Sequence, residues 1–162
     1  MASNPPPDTI LRPIHGPARP LAQFLALFHL VLVVLDPFTN ESAWILETAG
    51  RLLTTFIQSD CTVGWLVTAS PNECREFLGP WADHFTTFSD PDRTVVKSLG
   101  LESLPAIVHL GMDASLVSSA EGWQPSEWRA VTEEVAQVVS WTGPHLPGPK
   151  DPAPYDGTPA LG

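Results

Sequence analysis

FHLVLVVLDPFTNESAWILETAGRLL, residues 28–53, is the stretch on which the fold turns. Its first part, LVLVVL at 30–35, is an unbroken run of β-branched residues and leucine with no polar alternation. That pattern marks a strand buried on both faces, and so a central one. The run breaks at Asp36-Pro37 and crosses a short polar loop. From Ser42 to Ile57, apolar Ile45, Ala49, Leu52, Leu53 and Phe56 then recur at helical spacing.

Working outward, TVGWLVT at 62–68 reads as a second buried strand. Ser70-Pro71-Asn72-Glu73 supplies an N-cap, a proline at the first helical position and a capping-box glutamate, so a helix starts there and stops near Gly79-Pro80. HFTTF (84–88) reads as a short strand, and SDPDRTVVKSLG (89–100) as a turn entering a helix that ends at Gly100. AIVHL (106–110), a turn at 111–113 and SLVSS (115–119) pair as a hairpin. A last helix over 125–141 carries Trp128, Val131, Val135 and Val138 on one stripe. The order β-α-β-α-β-α-β-β-α implies an α/β fold, with a central, mostly parallel sheet, helices on both faces and a C-terminal antiparallel hairpin.

The 162 residues suit one domain. Prolines gather at both ends, which predicts extended, poorly ordered tails at 1–20 and 143–162 around a folded body at 21–142. The formal charge of −10 falls almost wholly in that body. Such an acidic surface repels phosphate, which argues against nucleic acid and anionic membranes as partners. Charged residues are only 16% of the chain and there are six tryptophans, so some apolar surface is expected to await a protein partner or a second copy. The apolar run at 21–35 has 15 residues, interrupted by Gln23 and His29, fewer than the roughly 20 that span a bilayer. With two cysteines and no paired spacing, the chain reads as a cytoplasmic protein of a reducing compartment. Six arginines against two lysines suggest a GC-rich, bacterial genome.

Three stretches between residues 28 and 141 together resemble the thioredoxin-like superfamily. They are the strand, loop and helix around DPFTNESAW; LGLESLPAIVHL, in which Pro105 resembles the cis-proline before a core strand; and TASPNECREFLGPWADHFTTFSDPDRTVVKSLGL, which resembles the β/α insertion of peroxiredoxins. The resemblance implies a reactive thiol at the start of the first helix. Peroxiredoxins carry Pro-x-x-x-Thr/Ser-x-x-Cys there, where the helix N-terminus favours the thiolate. In this chain Thr39 fits the threonine, Ser42 falls on the cysteine and Leu35 stands in place of the proline. Thioredoxins carry Cys-x-x-Cys, and Asn40-Glu41-Ser42-Ala43 has no thiol. The arginine that peroxiredoxins place near the later strand is absent from SLPAIVHL. The loop therefore reads as degenerate.

Cys74, one turn into the helix after the second strand, is the remaining thiol candidate, and Cys61 lies too far along the strand to bridge to it. His29 and His109 sit in apolar strand contexts and read as core or edge residues with their hydrogen bonds satisfied. His84 and Asp83 lack a third ligand, so no metal is expected. Ser42 lacks the Gly-x-Ser-x-Gly elbow of a hydrolase, and no glycine-rich phosphate loop is present, so no cofactor is expected either. Phe38, Trp44, Leu104 and Pro105 would meet at one end of the sheet and form an apolar groove, which in thioredoxins holds an extended peptide. Trp123, within EGWQPSEW, is a further candidate contact. Two functions follow from these readings. One is a non-catalytic thioredoxin-like protein-binding, assembly or chaperone module; the other is a single-cysteine thiol oxidoreductase or peroxidase acting through Cys74.

Overall fold

The computed structural model describes residues 2–162. In chain order its elements begin with β1 (Ile10–Leu11), β2 (Arg19–Pro20), α1 (Leu21–Phe24), β3 (His29–Leu35), α2 (Asn40–Trp44), α3 (Leu46–Phe56) and β4 (Cys61–Val67). They continue with α4 (Pro71–Leu78), α5 (Trp81–His84), β5 (Thr86–Ser89), α6 (Thr94–Ser98), β6 (Ser103–Leu104), β7 (Ala106–Leu110), β8 (Leu116–Glu121), α7 (Pro125–Val138) and β9 (Thr158–Pro159). The main sheet has five strands in the order β5-β4-β3-β7-β8. β3, β4 and β5 run parallel, β7 lies antiparallel to β3, and β8 returns antiparallel to β7. The continuous apolar run thus takes the centre of the sheet, as its lack of alternation predicts.

β3 divides its side chains between two cores. Val31, Val33 and Leu35 face α3, α4 and α7, packing with Leu52, Phe56, Leu78 and Trp128. Leu30, Leu32 and Val34 face α6 and the N-terminal segment, packing with Phe88, Val96, Leu11 and Leu21. The capping box of α4 is complete: the Glu73 amide donates to Ser70 Oγ, and the Ser70 amide donates to the Glu73 carboxylate. α3 presses on Trp81, and a Cβ at Gly50 would stand 2.4 Å from that indole, so only glycine lets the two elements approach this closely.

Several boundaries differ from the sequence reading. The helix expected over 42–57 is two segments that meet at the fully buried Ile45. An extra helical turn, α5, absorbs His84, so the strand expected at 84–88 starts at Thr86. The last helix ends at Val138, which is exposed rather than part of the buried stripe. The apolar run at 21–35 is not one element: α1 ends at Phe24, Leu27 and Phe28 are exposed, and β3 follows. Among the described residues no helix is long and apolar enough to cross a membrane.

The larger correction concerns the ends of the chain, where disorder was expected and packed backbone is found. β1 and β2 form a hairpin, and residues 12–14 line the outer edge of β5, with the Ser89 amide donating to Arg12 O (2.8 Å) and the Ile14 amide to Thr87 O (2.9 Å). An open strand edge offers unpaired donors and acceptors. Pro13, lacking an N–H, sits in this segment at no hydrogen-bonding loss. At the other end Asp151 is clasped by Arg51 (2.6 Å) and Thr48 (2.7 Å), Leu146 is buried, and β9 pairs antiparallel with β6. Proline content foretells extended backbone. It does not foretell solvent, because single anchors such as Leu11 and Leu146 dock such backbone on a core.

Candidate functional site

The site is the C-terminal end of β3, where Asp36 organises the loop. Its carboxylate accepts from the Phe38 amide (3.0 Å), its carbonyl accepts from Thr39 Oγ1 (2.9 Å), and its own amide donates to Ser42 Oγ (2.9 Å). Ser42, at the position that carries the resemblance's nucleophile, is wholly buried. Its hydroxyl closes the loop and does not face solvent. Thr39 caps no helix amide; its hydroxyl is turned back onto Asp36, and Asn40 opens α2.

Arginine does reach this loop, from the SDPDR turn rather than from the strand after Pro105. Arg93, in the SDPDR turn, pairs with Asp36 at 2.9 Å, and both side chains are largely buried. Its other nitrogen donates to Ala160 O (2.7 Å). Its backbone is left-handed (φ 60°), held there by a turn in which the Arg93 amide donates to Asp90 O (3.1 Å). Buried Asp90 in turn accepts from the Val95 and Val96 amides at the start of α6. Burial raises the Asp90 pKa, against those two hydrogen bonds. The signal for Arg93 and Asp36 was two opposite charges on two loops at the same sheet end, which sequence order alone does not pair.

The thiols are elsewhere. Cys74 lies on the core side of α4, fully buried, with its Sγ 3.6 Å from Ala69 O. Burial pushes its pKa up to about 11. Cys61 is also buried, and burial raises its thiol as well, although Ser59 lies 3.2 Å away as a hydrogen-bond partner. Neither is in a disulfide. A thiol needs a lowered pKa and exposure to act as a nucleophile, and both cysteines have the reverse.

The apolar candidates divide. Phe38 (66% exposed) and Trp44 (56%) stand out from the loop and α2. Phe38 borders a shallow cleft with Pro37, Phe77, Glu73 and Glu76. The Leu104–Pro105 peptide bond is cis, as the resemblance implied, but Leu104 and Pro105 are both buried. The chain's own C-terminal segment takes the strand edge just before Pro105: β9 lies on β6, and Tyr155 meets Trp44 edge-on at 5.4 Å. Trp123 is fully buried and is corrected as a surface contact; it packs on Trp128 and donates to Pro152 O (2.8 Å). Among the described residues no group of three or more His, Cys, Asp or Glu side chains could hold a metal ion.

No family model and no curated protein matches this sequence. Solved structures do match its shape. A hypothetical protein from Sinorhizobium meliloti 1021 superposes with a TM-score of 0.70 at 13% identity, over 99% of this chain and 94% of that one. A secreted Mycobacterium tuberculosis disulfide oxidoreductase gives 0.61 at 16% identity, over 80% and 96%. The fold is thioredoxin-like. Peroxiredoxin Q of Xanthomonas campestris gives 0.65 at 13% identity, over 82% and 91%, in keeping with the peroxiredoxin-like insertion. At these identities the likeness establishes the thioredoxin-like architecture alone, and the chemistry is carried by the residues at the loop.

Proposed function

We propose that this thioredoxin-like chain is a non-catalytic protein-binding module, of the kind that assists assembly or maturation of another protein in a reducing, cytoplasmic setting. The observation that carries the reading is Ser42: the nucleophile's position holds a buried hydroxyl already bonded to the Asp36 amide. A serine has no ionised form at neutral pH without a base, and the hydrogen-bond partner of this hydroxyl is the Asp36 amide, not a histidine. The buried, raised Cys74 counts against the one-cysteine oxidoreductase. What stays exposed at this end is a recognition surface, Phe38 and Trp44 with Glu73 and Glu76 beside the Phe38 cleft. Its complement is an apolar side chain flanked by lysine or arginine on a partner protein or a second copy.

Two measurements test this. Alkylation of Cys61 and Cys74 between pH 5 and 9, with intact mass after a brief peroxide pulse, should give no labelling and no oxygen addition until the protein unfolds. Rapid labelling of Cys74 at pH 6 would replace this reading with a thiol enzyme. A photo-crosslinker at position 38 should capture one discrete protein, or a second copy, and Glu76→Lys should abolish the capture; unchanged capture would refute the acidic cleft as the recognition element.

A further inference from the structure

β6 is the two-residue strand that leads into Pro105, and among the described residues its strand partner is β9. Leu104 stands opposite Thr158 and Ser103 opposite Pro159. The Ala160 amide donates to Glu102 O (2.9 Å) and Thr158 Oγ1 to Leu104 O (3.3 Å). This is the geometry of an extended peptide laid along a free strand edge.

Two positions of the segment fit their surroundings tightly. A Cβ at Gly157 would lie 2.6 Å from Leu104 O, a backbone atom that cannot swing aside, so only glycine fits there. Ala160 is buried and its carbonyl accepts from Arg93. Upstream, Tyr155 exchanges both backbone hydrogen bonds with Trp123 (2.9 and 3.0 Å), and its hydroxyl donates to Glu41 O. The segment therefore bridges Trp44 on α2, the Pro105 turn and Arg93. It is held by hydrogen bonds rather than by buried side chains: of residues 151–162 only Ala160 is buried, while the Asp151 clasp gives a fixed point from which the rest can lift.

We propose that residues 155–160 are a built-in peptide ligand, seated in a strand-addition site beside Pro105 that selects Gly-x-x-Ala-like sequences and exchanges them for an extended segment of the same kind in a partner protein. The exchange rests on the protein-binding reading above. Displacement of the segment unpairs Leu104 and frees Trp44 of Tyr155, which enlarges the apolar surface at this end of the sheet.

The test uses the full-length chain, its full-length Gly157→Val variant and a fluorescent synthetic peptide of residues 152–162. The valine clashes with Leu104 O and expels the variant's own segment. We expect the variant to bind the peptide saturably, the wild type to bind it at least tenfold more weakly because its own segment competes, and a peptide carrying the same Gly→Val change to bind neither. Equal binding by both proteins, or no binding by a variant with a native circular dichroism spectrum, overturns the proposal. Hydrogen exchange on the unaltered protein covers the case of a variant that does not fold. The Tyr155 and Ala160 amides should exchange at least a hundredfold faster than those of Leu32 and Val34, and equal protection overturns the proposal. Because the probe is the chain's own sequence, its failure is distinct from an empty crosslink at position 38, which removes the partner reading and leaves the seated segment in place.

Discussion

His109 makes the stability of this protein depend on pH in a direction the structure dictates. Its ring is fully buried, its Nε2 lies 2.8 Å from His29 Nδ1, and its Nδ1 has no hydrogen-bond partner among the described residues. A neutral ring can carry its proton on Nε2 and donate to His29, leaving only a lone pair at Nδ1. Protonation would place a donor at Nδ1 with nothing to accept it, a cost of about 1–3 kcal/mol for such a group. Burial, and then the neighbouring His29, lower its pKa to about 4. The unfolded chain, with an ordinary histidine near 6.5, therefore binds the extra proton first as pH falls. Stability from this residue is fully present above pH 6.5 and is lost towards pH 4: about 2 kcal/mol by pH 5 and about 3 kcal/mol by pH 4. With a urea m-value of roughly 2 kcal/mol/M for a chain this size, the midpoint should drop by about 1 M between pH 7.5 and pH 5. Other groups titrate in this range, so the measurement is the difference from His109→Leu, whose midpoint should fall much less over the same interval. If the two proteins lose stability in parallel, or the His109 ring proton titrates near 6.5 by NMR, the reasoning fails.

Three further outcomes follow from the packing. Arg93→Met leaves the buried Asp36 carboxylate unpaired and removes a bond to Ala160 O; a loss of about 3–5 kcal/mol is expected in chemical denaturation, against under 1 kcal/mol for removing an exposed pair such as Arg129–Glu133. Ser70→Ala removes the α4 cap and should cost about 1 kcal/mol, roughly 2–4 °C in Tm, with Glu73→Ala costing a similar amount and the double variant less than the sum. Gly50→Ala drives a methyl group into the Trp81 indole and should destabilise by about 1–3 kcal/mol in chemical denaturation, with a change in tryptophan fluorescence.

How far the site could be read from the chain depends on which physical signal each residue leaves. LVLVVL announces a central strand because burial on both faces permits no polar alternation, and Ser70-Pro71-Asn72-Glu73 announces a helix start because capping is local. The vacancy of the thiol position was equally plain, since it is a matter of residue identity at a fixed offset from the strand. Arg93–Asp36 and β6–β9 leave no such mark. Each joins residues more than 50 positions apart, and their pairing is decided by the topology of the sheet end rather than by anything within reach along the sequence.

The C-terminal segment shows the same limit in a sharper form. DPAPYDGTPALG has the composition of a solvated tail, and each feature that gives this impression has a use in the docked state. Pro152 and Pro154 keep the backbone extended, Gly157 clears the Leu104 carbonyl, and Ala160 is small enough to be buried beside Arg93. Composition averages over these positions, whereas docking depends on their order. A shuffled C-terminus with Gly157 and Ala160 exchanged keeps composition and charge but places a side chain against Leu104 O. That variant should lose protection at the Tyr155 amide and bare Trp44, with red-shifted tryptophan emission. Emission and exchange identical to wild type would mean that proline-rich content alone, and not the placed glycine, holds the segment down.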